Sequence, residues 1–128
     1  MSGSATLPDV ATYEDLQRIA LELPGVTLEG LELRLDGSGL LWPWRERVDP
    51  RKPKVTNLGV AVLPVADEQR KYELIATEPA LFFTEPHYDG YPAVLVRYAK
   101  VGVKELRELI TDAWRVKAPA RVRAAFDG

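Results

Sequence analysis

The chain has 128 residues, 46% apolar and 28% charged, with 17 basic against 19 acidic side chains and a net charge of −2. That suffices for one folded domain with a single core and is too short for two, and the apolar fraction is too high for a disordered chain. No cysteine is present, which removes disulfides, thiolate catalysis and Cys-ligated zinc; no apolar run approaches the roughly 20 residues of a membrane span, and the near-neutral charge speaks against an indiscriminate polyanion binder, whose pI usually exceeds about 9.

Residues 1–11 read as a flexible lead, and the domain is expected over 12–128. The opening Met1-Ser2-Gly3-Ser4 lacks the basic and apolar regions of a signal peptide, which predicts a cytoplasmic location. Thr12 is an N-cap with Asp15 at the third helical position, and Leu16, Ile19, Ala20 and Leu23 share one helical face until Pro24-Gly25 stops the helix. Leu31, Leu33 and Leu35 alternate with Glu32, Arg34 and Asp36, the pattern of a half-buried strand. Asp36-Gly37-Ser38-Gly39 is turn chemistry, so a hairpin into Leu40-Leu41-Trp42-Pro43-Trp44 follows, with Pro43 predicting an edge position or a strand end.

Arg45 to Asn57 reads as a long exposed loop, and Leu58 to Val65 as a strand. Asp67 caps a helix reaching Thr77, with Tyr72, Ile75 and Ala76 on its buried side, and Glu78-Pro79 ends it. Leu81 to Thr84 and Ala93 to Tyr98 are strand-like, joined by the turn-rich segment His87-Tyr88-Asp89-Gly90-Tyr91-Pro92. The clearest helix spans Val103 to Arg115, where Val103, Leu106, Leu109, Ile110, Ala113 and Trp114 form one stripe; a short last helix starts with Pro119 in its first turn. The order α-β-β-β-α-β-β-α, with short early connections, predicts an α+β domain: an antiparallel sheet with helices packed on one face.

Much catalytic chemistry is excluded. The only serines are Ser2, Ser4 and Ser38, no Gly-x-Ser-x-Gly occurs, no Gly-Lys pair exists for a phosphate loop, and no dinucleotide fingerprint is present. Glu85, His87 and Asp89 would share one face of a strand and could hold a cation. Pro86 and Gly90 place them in a loop, however, where one histidine is better read as hydrogen-bonded to its neighbours than as a metal ligand. Glu105, Glu108 and Asp112, mixed with Lys104 and Arg107, belong to a solvated helix face.

Positive charge concentrates in two segments. Arg45, Arg47, Arg51, Lys52 and Lys54 stand against Glu46 and Asp49, a local +3, and Arg115, Lys117, Arg121 and Arg123 face no acid between them, a local +4. Trp42 and Trp44 precede the first cluster, a combination that suits backbone phosphates with an occasional stacking contact. The plainer readings are a solubilising loop, cations opposing a helix dipole, and tryptophans packed on a sheet face.

The turn His87-Tyr88-Asp89-Gly90-Tyr91-Pro92 before Val94-Leu95-Val96-Arg97 resembles the MmcQ/YjbR family. So do Asp112-Ala113-Trp114-Arg115 with Ala118-Pro119, and Trp42-Pro43-Trp44-Arg45. The similarity runs from Thr12 to about Arg123. It implies a CyaY-like α+β fold and a non-enzymatic DNA-binding role through hairpin wings, with no catalytic residue and no cofactor. Carried onto this chain, the wing is the Leu31 to Trp44 hairpin with its basic extension to Lys54. Many members carry Gly-Lys-x-Phe at the hairpin turn; here it reads Gly37-Ser38-Gly39-Leu40, so the Arg/Lys loop takes over the missing lysine's part.

The expected partner is double-stranded DNA, contacted through Arg45, Arg47, Arg51, Lys52, Lys54, Arg115, Lys117, Arg121 and Arg123, provided both clusters fold onto one face. The alternative is a small-ligand or protein-partner module with an aromatic groove of Trp42, Trp44, His87, Tyr88 and Tyr91. Iron handling of the frataxin kind fits poorly, because the first helix offers only Glu14, Asp15 and Glu22, partly offset by Arg18.

Overall fold

A computed structural model describes residues 11–127. The lead expected over 1–11 lies outside them except for Ala11, which is buried in the core. Ten elements follow in order: α1 Tyr13–Leu21, β1 Val26–Glu29, β2 Glu32–Leu35, β3 Ser38–Glu46, β4 Val55–Pro64, α2 Glu68–Thr77, β5 Phe82–Phe83, β6 Ala93–Val96, α3 Val103–Lys117 and α4 Ala120–Asp127. The strands form one six-stranded sheet in the order β1-β2-β3-β4-β6-β5, with every pairing antiparallel. The domain is α+β, as the pattern predicts.

α1 begins where the cap chemistry places it. Thr12 Oγ1 accepts from the Asp15 N–H at 3.2 Å and Asp15 Oδ2 accepts from the Thr12 N–H at 3.0 Å, so two orphan donors of the first turn are satisfied reciprocally. These bonds, first the Thr12 N–H and then Arg18, hold the Asp15 carboxyl below its ordinary value. A carboxylate so depressed adds stability above its unfolded pKa and loses it as pH falls through the folded one. Thr12→Ala removes one half of the box and should cost about 1 kcal/mol in urea unfolding; an unchanged midpoint would show that the helix start is held by packing instead.

A strand absent from the expected order, β1, precedes β2. Only Val26 of its four residues is buried, so it carries no alternation to detect, and Leu31 falls in the intervening turn instead of in a strand. The β2–β3 turn has Asp36 at φ 51° and Gly37 at φ 83°, the two positive values that a two-residue type I′ hairpin demands.

Pro43 lies within β3 and not at its end, but past the last β2 pairing at Leu41, so among the described residues one side of β3 is an open edge there, as expected. The proline is tolerated because the β3–β4 ladder is irregular there: Pro43 faces Ala61 while Trp44 faces Asn57, so β4 bulges between them. The long loop expected over Arg45 to Asn57 shrinks to residues 47–54, since β3 runs to Glu46 and β4 starts at Val55.

Both faces of the central strands are buried. Ala61, Leu63, Val94 and Val96 point to the helices, where α1 and α3 add Leu16, Ile19, Leu106, Ile110 and Trp114. Val60, Val62, Ala93 and Leu95 point the other way, under Trp42, Trp44, Phe83 and Tyr88. Helices thus cover one face, and aromatic side chains from β3, β5 and the segment after β5 cover the other. α2 is turned from its expected orientation: Tyr72 and Ala76 are exposed, while Lys71 is fully buried beside partly buried Leu74 and Ile75.

Candidate functional site

The last three pairs of the β3–β4 ladder, Trp44 with Asn57, Arg45 with Thr56 and Glu46 with Val55, have no strand on either side among the described residues. β2 reaches β3 only at Ser38 to Leu41, and β6 reaches β4 only at Ala61 to Pro64. They form a two-stranded arm that projects roughly 10 Å past the sheet at the usual rise per residue. The projecting hairpin is therefore β3–β4; the Leu31 to Trp44 hairpin, expected as the wing, is enclosed between β1 and β4.

Residues 47–54 tip the arm. Asp49 Oδ1 accepts from the Arg51 N–H at 2.9 Å and pairs with its guanidinium at 3.3 Å, which keeps its carboxyl below the ordinary value. Arg47 donates to the Lys52 carbonyl at 2.7 Å. The tip is an ordered turn, and Arg45, Arg47, Lys52 and Lys54 pair with no carboxylate among the described residues.

The second basic segment does not join this face. Trp42 faces Val62 and Pro64 faces Ala93, so Ser38, Pro64 and Ala93 mark one end of the sheet and Glu46, Val55 and Val96 the other. The Trp114 indole, near the end of α3, donates to the Pro24 carbonyl at 2.9 Å, and Asp36 is bonded to Gly25. Arg115 and α4 therefore sit at the Ser38 end, while the arm leaves the opposite one. Eight strand residues at about 3.3 Å each put roughly 25 Å between them. Arg115 is also engaged, by Asp127 at 2.6 Å and over the Phe126 ring at 5.5 Å. The expectation that both clusters share one cationic face is corrected by the direction of β3.

The aromatic residues do come together. Trp42, His87, Tyr88, Asp89, Gly90 and Tyr91 line an open recess of about 530 Å³. The Trp42 indole donates to the Tyr88 hydroxyl at 3.3 Å, and the Tyr88 ring lies 5.0 Å from His87 and 6.0 Å from Tyr91. Trp44 stands apart, edge-on to Phe83 at 5.3 Å and donating to Glu85 at 3.3 Å. Beneath the recess, the buried Lys71 ammonium donates to the carbonyls of Tyr88 at 2.5 Å and Tyr91 at 3.1 Å, with Glu68 at 3.6 Å. Sequence reasoning missed Lys71, because only a stripe admitting a lysine beside Leu74 and Ile75 would have shown it.

Glu85, His87 and Asp89 do not share a strand face. Residues 86–88 form a short 3-10 turn in which Glu85 accepts from the His87 N–H at 3.1 Å, and no metal-ligand cluster occurs among the described residues. On the helix side, Glu22 is paired with Arg107 and Asp15 with Arg18 at 3.0 Å, so of the three acids of the first helix only Glu14 has no ion pair among the described residues. Burial pushes the Tyr98 hydroxyl up to about 12 and that of Tyr13 higher still, so both stay protonated near neutrality and neither offers a phenolate, and the Tyr13 hydroxyl donates to the Leu31 carbonyl. A separate groove of about 410 Å³ runs between α2 and α3 over Leu63, Phe82 and Val94.

Three mycobacterial proteins resemble this chain over nearly its whole length. The uncharacterized proteins Mb2600 of Mycobacterium bovis, and MT2646 and Rv2570 of Mycobacterium tuberculosis, are each 41% identical over 128 aligned residues, covering 91% of this chain and 96% of theirs. No family model matches the chain, and no solved structure matches it.

Proposed function

The chain belongs to one family with these mycobacterial proteins, and from that premise we propose that it is a non-enzymatic DNA-binding module whose contact surface is the β3–β4 arm. The observation that carries this reading is a two-stranded ribbon and its tip carrying four cations that have no carboxylate partner among the described residues. A ribbon of two strands is narrow enough for the major groove of duplex DNA, and phosphate contacts are made by side chains of the arm's kind. The sequence resemblance to the MmcQ/YjbR group, which implies a CyaY-like fold and hairpin wings, points the same way, and the reading carries with it a proposed cytoplasmic location. Compared with the nine-residue surface expected from sequence, the proposed interface keeps Arg45, Arg47, Arg51, Lys52 and Lys54 and sets aside Arg115, Lys117, Arg121 and Arg123.

Fluorescence anisotropy with a labelled duplex tests it. Four neutralised phosphates give a log–log salt slope of about −3.6. Changing Arg45, Arg47, Lys52 and Lys54 to glutamate should lower affinity by roughly 100-fold or more at low salt, while Lys117, Arg121 and Arg123 changed together should alter it little. A flat salt response, or equal losses from the two variants, would remove the arm as the contact.

A further inference from the structure

We propose that the recess bounded by Trp42, His87, Tyr88 and Tyr91, with Asp89 at its rim, is a binding site for a small organic cation bearing a trimethylammonium head. The inference stands on a different observation from the arm and does not depend on DNA binding.

The recess is preorganised. Gly90 at φ 76° reverses the chain, and the Tyr91 N–H returns to the Tyr88 carbonyl at 3.1 Å, which sets the two tyrosine rings against each other at 48°. His87 stands edge-on to Tyr88 at 89°. Trp42 and Tyr88 are tied by their hydrogen bond, Glu85 caps the short turn through the His87 N–H, and Lys71 clamps the loop from below through two carbonyls. The rings are therefore held in place before any ligand arrives, which reduces the ordering cost of binding.

The lining selects the ligand's charge. Aromatic faces carry the negative part of the ring quadrupole, and tryptophan is the strongest partner for a cation. Asp89 adds a carboxylate with no cation partner among the described residues, and neither lysine nor arginine lines the recess. Lys71 lies beneath the loop, not in the recess, and its charge is offset by Glu68 and the two carbonyls. One carboxylate and one imidazole are too few for a metal ion, and the carboxylate repels a phosphate. A bulky, weakly hydrated cation satisfies all of these constraints, and its chemistry is opposite to that of the arm's partner.

The test is a titration of the whole chain with tetramethylammonium chloride, with neopentyl alcohol as the neutral probe of the same shape and sodium chloride at matched ionic strength. The readout is the indole N–H resonance of Trp42, assigned by its loss in Trp42→Phe. A saturable shift with tetramethylammonium alone is expected, with Tyr91→Ala and Asp89→Asn each weakening affinity by about threefold or more, unchanged melting temperatures, and no effect of the arm variant. Absence of a saturable shift, an equal response to neopentyl alcohol, or undiminished affinity in both variants would overturn the proposal.

Discussion

Lys71→Met should lower the stability of the domain by about 3 kcal/mol or more, read from the urea midpoint at unchanged slope. The replacement keeps the aliphatic stem, so the apolar packing of α2 on β5 and β6 is largely retained. What disappears is the ammonium that serves the Tyr88 and Tyr91 carbonyls and lies against Glu68. Each carbonyl keeps a backbone donor, the Tyr91 N–H on Tyr88 and the Ala93 N–H on Tyr91, so the loss is that of two charge-assisted hydrogen bonds, about 1.5–3 kcal/mol each, together with the attraction to Glu68. Glu68 is partly exposed, which places the expected loss toward the lower end. Adding Glu68→Gln should recover little, because the carbonyls and not the ion pair dominate. The same variant should loosen residues 85–91, seen as faster amide exchange at Tyr91. A loss below about 1 kcal/mol would mean that water reaches those carbonyls.

Trp114→Ala should cost about 3–5 kcal/mol, the range for truncating a large buried aromatic. Trp114 is fully buried, its indole N–H satisfies the Pro24 carbonyl at 2.9 Å, and its ring lies 4.9 Å from Phe126. Three connections run through this side chain: α3 to the core, α3 to the end of α1's following turn, and α4 to the body of the domain. Trp114→Phe keeps most of the volume and loses the bond to Pro24, so about 1–2 kcal/mol is expected. In both variants the amides of α4 should exchange faster than those of α1, since Arg115 with Asp127 at 2.6 Å is an exposed pair and holds α4 only weakly by itself. Equal exchange in α4 and α1 would show that α4 docks without Trp114.

The basic segments show how far residue counts carry. Both clusters are legible, and so is the aromatic turn, because each lies within a dozen consecutive residues. Their relation in space is not, since it depends on which way β3 and α3 run. The arm became visible only through its neighbours: β3 and β4 are ordinary strands by composition, and they project because the β2 pairing reaches no farther than Leu41 and β6 ends at the level of Ala61. The C-terminal cations, which read as free, turn out to include Arg115 held by Asp127, twelve residues away.

Local chemistry determined much of this protein from sequence alone. The Thr12–Asp15 cap, the Asp36-Gly37 turn, the Asp67 cap and the α3 stripe each act over four or five residues, where backbone sterics and helical periodicity leave one good solution. Tertiary structure decided the rest: β1, recruited as an edge with one buried side chain; Lys71, drawn inward by carbonyls 17 and 20 residues along the chain; and the separation of the two basic clusters. The physical reason is the same in each case. A hydrogen bond or a strand pairing between distant residues is specified by where the whole sheet places both partners, and neither partner carries a mark of the other in its own neighbourhood.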